Sequence, residues 1–218
     1  MSTYGIYGRF AKRCVDVGVA LGALTVLGPV ALVVAAAVRV TMGSPVVFAQ
    51  RRPGKGGKTF TIYKFRTMRD ACGPDGKPLP DDARLTKVGL LLRKTSLDEI
   101  PQLLNVLRGE MSLVGPRPLL PQYLPWYSPR EATRHDLRPG ITGWAQINGR
   151  NETTWERRLE CDAWYIENLS AWLDLKIAVA TIAKVVRRSG VQADNTAMLP
   201  LDVERRAVIA PTAIRKAA

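Results

Sequence analysis

Twenty-two consecutive residues, Val17–Val38, carry no charge, and a run of that length is enough to cross the hydrocarbon core of a bilayer. It is interrupted at Gly28-Pro29, where proline removes a backbone hydrogen bond and crowds the preceding turn. Both flanks are basic: Arg9, Lys12 and Arg13 precede the run, and Arg39, Arg51, Arg52 and Lys55 follow it. Positive residues beside a membrane segment favour the cytoplasmic side, so a straight crossing would leave one cluster on the wrong side. A helix that enters, bends at Gly28-Pro29 and returns satisfies both flanks, and this re-entrant helix-break-helix is the expected topology. A secretory signal is the competing reading, but no small-residue cleavage site follows. Asp16, the acid nearest the membrane, is expected to pair with Arg13 or Lys12.

The remainder is long enough for one domain with its own core. A net charge of +13, from 32 Lys+Arg against 19 Asp+Glu, implies anionic partners: nucleic acid, phospholipid or nucleotide. Cys14, Cys72 and Cys161 lie far apart in no metal-ligand spacing, as reduced thiols of a cytosol-facing protein do. His135 is the single histidine, which excludes a His-rich metal site and argues against a Ser-His-Asp triad.

The organisation that follows is a membrane helix over residues 1–43, a cytosol-facing catalytic domain over 44–190 and a tail over 191–218. Residues 45–50 and 59–65 are β-rich and flank the Gly-rich basic loop 51–58, which predicts a hairpin. Residues 84–94 form an amphipathic basic helix, with Leu85, Val88, Leu91 and Leu92 on one face, suited to a core or to an anionic membrane surface. Helices are expected over 155–168 and 172–188, and the tail is expected to be loosely ordered or to lie on the membrane. The fold class is α+β, mainly α, with amphipathic interfacial helices and a small β-hairpin.

Residues 95–118, TSLDEIPQLLNVLRGEMSLVGPRP, hold the strongest chemical signal. Asp98 and Glu99 open a helical pattern with Leu103, Leu104, Val106 and Leu107 as its apolar stripe. Pro101 is tolerated only in a first turn, so the helix is expected to begin at about Asp98, at the positive end of the dipole. A capping box from Ser96 to Glu99 would place Pro101 too deep. Arg117 follows between Pro116 and Pro118, and an acidic pair facing an immobilised arginine suits phosphoryl chemistry. Arg93 lies five residues before Asp98. Residues 138–150 form glycine-punctuated loops carrying Arg138, Gln146 and Arg150, the kind of segment that holds ligands.

Taken together, Lys12-Arg13, Asp16, Gly28-Pro29, YKFRTM at 63–68, SLDE at 96–99, NVLRGEMSLVGPRP at 105–118, RPGITGWAQINGRN at 138–151 and LDLK at 173–176 resemble the bacterial sugar transferase family, the monotopic phosphoglycosyl transferases. The likeness covers nearly the whole chain, and it is greatest to the family's small members with a membrane-anchored core. It implies transfer of a sugar-1-phosphate from a UDP-sugar to undecaprenyl phosphate with release of UMP and use of Mg²⁺. It further implies that Asp98 is the nucleophile, forming a phosphosugar-enzyme intermediate, with Glu99 orienting it or sharing the metal. Arg93, Arg117 and Arg150 match positions that hold phosphates and nucleotide; Gln146 and Lys64 join this binding set, and Asp174 matches an acidic position near the site. An N-acetylated amino sugar is the expected cargo, with a hexose for capsule or exopolysaccharide as the alternative. The expected location is the cytoplasmic face of the bacterial inner membrane, in contact with phospholipid, and a homodimer is compatible with the sequence.

Other readings explain less. Adjacent carboxylates at a helix start point roughly 100° apart and flank a sugar poorly, which disfavours a glycosidase. A non-enzymatic scaffold for anionic lipid would explain the charge and the apolar run but leave the acidic dyad and the Pro-Arg-Pro loop without purpose. The chain shows no nucleic-acid recognition motif.

Overall fold

The computed structural model describes residues 7–148, 154–187 and 199–206. A 31-residue helix α1 (Lys12–Met42) leads into an antiparallel hairpin of β1 (Val47–Pro53) and β2 (Thr59–Phe65), paired from Val47–Phe65 to Pro53–Thr59. Short helices α2 (Asp81–Arg84), α3 (Lys87–Thr95) and α4 (Gln102–Arg108) follow. Next come β3 (Ser112–Val114), α5 (Pro129–Ala132), β4 (Gly140–Thr142) and α6 (Trp144–Asn148). Helices α7 (Trp155–Glu167) and α8 (Ala171–Val186) complete the domain. The fold is mainly helical α+β with a long apolar N-terminal helix and very little sheet.

The expected break in α1 is not a break. The helix runs through Pro29 without interruption. Gly28, lacking a Cβ, removes one of the clashes that push the residue before proline out of the α region, so the cost is one missing backbone hydrogen bond rather than a terminated helix. The apolar outer face, with Val15, Val19, Leu21, Val26, Val30, Leu32, Val33 and Val40, is exposed.

Both ends of α1 are fastened to the rest of the chain. At its start, the Lys12 ammonium donates to Asp174 Oδ2 at 2.5 Å, and Arg13 donates to the carbonyls of Val106 and Leu107 at the end of α4, where a cation complements the helix dipole. Contrary to the expected pairing with Lys12 or Arg13, Asp16 accepts the Leu113 amide on Oδ1 at 3.0 Å. At the other end Val34 and Val38 are buried in one apolar cluster with Ala20, Ile62, Phe65, Leu92, Ile100, Leu103, Val106 and Met111. A fully buried valine contributes about 1.5–3 kcal/mol over an exposed one.

Asn105 ties β2 to α4: it accepts from the Tyr63 amide and donates to the Thr61 carbonyl and to Glu110. On the far side, Val114, Leu137, Tyr165, Ile166, Leu173 and Ile177 form a second cluster, and Tyr123, Trp155, Leu159 and Leu201 a third. That third cluster corrects the expectation of a loose tail for the part described. Residues 201–206 are helical, Leu201 is fully buried, and the Trp155 indole donates to the Leu199 carbonyl at 2.8 Å.

Candidate active site

The dyad does not open an α-helix. Helix α3 ends at Ser96, which adopts a left-handed conformation (φ 56°) and returns its amide to the carbonyls of Arg93 and Leu92. Leu97–Glu99 then forms a single 3₁₀ turn, and α4 begins only after Pro101, its N-cap residue. The sequence reading placed the helix start at Asp98 because proline suits a first turn. The left-handed Ser96 instead leaves Asp98 and Glu99 on a tight elbow between two helices, with no capping box.

That elbow faces a cavity of about 820 Å³, within the range of small-molecule sites. Lys64, Arg93, Asp98, Glu99, Arg117 and Gln146 all line it, so six of the eight residues expected at the site do converge. Among the described residues, eight basic and five acidic side chains line the cavity, a net positive lining suited to an anion.

Within it the two acids differ. Glu99 Oε1 accepts from Lys64 Nζ at 2.7 Å and from Arg117 Nη2 at 2.8 Å. Burial alone would raise its pKa, but the charges and hydrogen bonds of Arg117 and Lys64 outweigh that and hold it below the usual carboxylate range. Asp98 is 8% exposed and accepts no hydrogen bond among the described residues. Burial, then the neighbouring Glu99 charge, pushes its pKa up to about 6, against the opposing pull of Lys64, Arg117 and Arg93. Glu99 is a fixed anion that positions two cations, and Asp98 is an ionisable carboxylate left with its lone pairs uncommitted.

Backbone close approaches set this geometry. A Cβ on Gly89 would sit 1.8 Å from the Thr67 carbonyl oxygen, so only glycine lets α3 pack against the segment after β2. From there Arg93 Nε donates to Thr67 Oγ1 at 3.1 Å. The Gly115–Pro118 loop is stitched to the 138–143 segment by a parallel pairing of β3 and β4. Gly115 donates to Thr142, and Gly140 to Pro116. A Cβ on Gly140 would meet Gly115 N at 2.1 Å. Gly140 and Gly143 therefore hold the arginine loop in place.

Of the two other expected site residues, one falls elsewhere. Asp174 does not line the cavity; it is buried beneath α1, accepting from Lys12, from Tyr7 Oη at 2.6 Å and from Tyr165 Oη at 2.7 Å. Its role is to hold α1. Arg150 lies outside the described residues. Arg138 reaches away from the cavity, donating to the Gly109 carbonyl at 2.6 Å.

Sequence reasoning missed a layer beneath Arg117. Arg134, 3% exposed, donates to the Arg117 carbonyl at 2.6 Å and to Asp162 Oδ2 at 2.8 Å. Burial raises the Asp162 pKa, with Arg134 opposing. The pairing spans 28 residues, and no local pattern announces it. Arg52, Trp155 and Arg158 line the same cavity.

The chain matches the family described as Bacterial sugar transferase over residues 7–188. It is 54% identical over 184 residues to a protein of Bacillus subtilis named uncharacterized sugar transferase EpsL, covering 84% of this chain and 91% of that one. It is 43% identical over 191 residues to the UDP-glucose:undecaprenyl-phosphate glucose-1-phosphate transferase of Xanthomonas campestris, covering 83% of this chain and 40% of that longer protein. With the exopolysaccharide production protein ExoY of Rhizobium meliloti it shares 40% identity over 200 residues, 84% of this chain and 88% of the relative.

Proposed function

The chain belongs to the bacterial sugar transferase family, and we propose that it moves a sugar-1-phosphate from a UDP-sugar to undecaprenyl phosphate through a covalent intermediate on Asp98. The observation that carries the reading is the asymmetric dyad: Asp98 uncommitted, Glu99 locked to Lys64 and Arg117, both at a net positive cavity.

In the first step a carboxylate oxygen of Asp98 attacks the β-phosphorus of the donor. The bond from that phosphorus to the bridging oxygen breaks, and the electron pair leaves with UMP. In the second step an oxygen of the lipid phosphate attacks the same phosphorus, breaks the acyl-phosphate bond and restores the Asp98 carboxylate. Splitting the transfer in two avoids bringing two dianionic substrates together at once. Lys64, Arg93 and Arg117 offset charge on the transferring group, and Glu99 keeps Lys64 and Arg117 aimed.

Among the described residues no three His, Cys, Asp or Glu side chains gather as a ready-made cation cage. Mg²⁺ is commonly held by one or two carboxylates together with substrate phosphates, and the dyad with the donor diphosphate meets that requirement. Bound there, Mg²⁺ would supply further neutralisation of phosphate charge.

The membrane side of the reading is an α1 that stays helical through Pro29 but kinks there, so that it dips into the bilayer and both ends lie on the cytoplasmic face. Support comes from Lys12, Arg13 and Asp16 at one end and Val34 and Val38 at the other, which contact the same folded unit. The outer face of α8, with Trp172, Leu175, Val179, Ile182 and Val186 exposed at helical spacing, suits an interfacial position. Impermeant labelling of cysteines introduced at the two ends of α1 tests the topology: accessibility from opposite sides contradicts it.

For the cargo, relatives whose names give a donor give UDP-glucose or UDP-galactose. That favours a hexose over the N-acetylated amino sugar suggested by the sequence alone. Assay of UMP release from a panel of UDP-sugars, with undecaprenyl phosphate and Mg²⁺, separates these. Release with one donor and its loss in Asp98→Asn support the reading; equal release by the variant overturns the assignment of Asp98. A scaffold protein would release UMP from none.

A further inference from the structure

Among the described residues, only 199–206 lie beyond residue 188, where the family match ends. The segment is built into the domain all the same. Leu201 is fully buried, in the cluster with Tyr123, Trp155 and Leu159. The Trp155 indole donates to the Leu199 carbonyl at 2.8 Å. Arg205 forks onto Glu131, with Nη1 on Oε2 at 2.8 Å and Nη2 on Oε1 at 2.5 Å, and it also donates to the Trp126 carbonyl. A bidentate arginine–carboxylate pair fixes orientation as well as contributing energy. Glu131 is itself held, accepting the Ser128 amide at 2.7 Å.

What the segment grips is the back of the cavity. Leu119 and Trp155 belong to the cluster that Leu201 completes, and both line the cavity. Tyr123 meets Trp155 edge-on, with ring centroids 5.4 Å apart. Tyr127 packs against the same cluster and accepts from Arg134 Nη1 at 3.0 Å. Arg134 Nη2 in turn reaches the Arg117 carbonyl at 2.6 Å. A continuous set of packed and hydrogen-bonded side chains therefore runs from the terminal segment to the arginine loop.

The dyad is held differently. Leu97 and Ile100, on either side of Asp98 and Glu99, pack in the cluster with Val34, Val38, Ile62 and Leu92, which includes no residue of 199–206. One side of the cavity thus depends on the α1 cluster and the other on the terminal segment. We infer that Leu201 and Arg205 are positioning residues: they clamp Trp155 and residues 119–127 from behind and fix the wall against which the UDP-sugar binds. The dyad's chemistry does not depend on them. The identity of the ligand rests on the transfer reading above; the clamp rests on packing alone.

The test compares Leu201→Ala, Arg205→Gln and the volume-conserving Leu201→Met with wild type, as full chains in detergent. Hydrogen–deuterium exchange reads the clamp without substrate. Leu201→Ala is expected to raise exchange in peptides covering 119–131 and 155–160, while exchange in 59–65 and 97–108 stays as in wild type. UMP-release kinetics read the consequence. The donor KM is expected to rise about fivefold or more in Leu201→Ala and less in Arg205→Gln, with kcat and the KM for undecaprenyl phosphate near wild type. Leu201→Met is expected to restore the donor KM. Unchanged exchange in 119–131 overturns the clamp, whatever the activity. Faster exchange there with a wild-type donor KM makes the segment merely structural and overturns the positioning role. A rise in exchange that includes 97–108 also overturns it, because the dyad would then depend on the same packing. Wild type that releases UMP from no donor fails the transfer reading instead, and exchange still decides the clamp.

Discussion

Two buried aspartates of this protein are equally hidden and oppositely employed. Asp98 is 8% exposed and Asp174 7%. Asp174 is saturated by donors, with an ammonium and two phenol hydroxyls on its oxygens. Asp98 has cations nearby but no hydrogen bond among the described residues, and burial with Glu99 raises its pKa. The first arrangement fixes a helix, because both carboxylate oxygens are committed and removing a partner leaves a buried charge uncompensated. The second keeps a carboxylate available to a phosphorus atom. Burial identifies neither role; the partner list does.

The contrast is sharpest under exchange of each acid for its amide. Asp98→Asn is expected to lower UMP release by about 10³-fold or more while leaving the melting temperature at or above the wild-type value, since a poorly satisfied buried charge is removed. Asp174→Asn is expected to do the reverse. It leaves Lys12 buried beside a neutral group and costs about 3–5 kcal/mol of stability, with activity per folded molecule near wild type. Thermal melts alongside single-turnover assays distinguish the two, and matching profiles would erase the distinction.

A smaller effect is expected from Gly89→Ala. Its methyl would press on the Thr67 carbonyl, costing about 1–3 kcal/mol as an overpacked contact does and loosening Arg93 through Thr67. Denaturant midpoints measure the first part and the donor KM the second.

The mildest effect is on pH. The nucleophile must be ionised, and the Asp98 pKa is raised to about 6, so kcat/KM for the donor should fall as pH drops through about 6, tracking one proton. Glu99 contributes to that elevation. In Glu99→Gln the residual activity should therefore keep its acid limb at lower pH than wild type, even as Arg117 and Lys64 lose their anchor. An acid limb that moves upward would contradict the coupling.

Much of this site is legible in the chain because its elements are short-range. The 59–65 strand matches its β-rich run, and Asp98-Glu99, Arg93, Lys64, Arg117 and Gln146 meet at one cavity. What could not be read is non-local or conformational. Nothing in the 95–101 stretch marks Ser96 as left-handed, and that one residue turns an expected helix start into a 3₁₀ elbow. Three-residue strands such as β3 and β4 are too short to show alternation. The buried pair Arg134–Asp162 and the Lys12–Asp174 bond, 162 residues apart, exist only in the folded chain. Motif position points Asp174 to the site, whereas its ammonium partner, Lys12, lies at the other end of the sequence.

The covalent step is tested most directly by intact-protein mass spectrometry after mixing enzyme with UDP-sugar in the absence of lipid acceptor. The account predicts a mass increase equal to one sugar-phosphate, mapped to the peptide containing Asp98, absent in Asp98→Asn and retained in Asp174→Asn. UMP released only on addition of undecaprenyl phosphate, with no adduct on the wild-type chain, would show direct transfer between substrates and contradict Asp98 as the nucleophile.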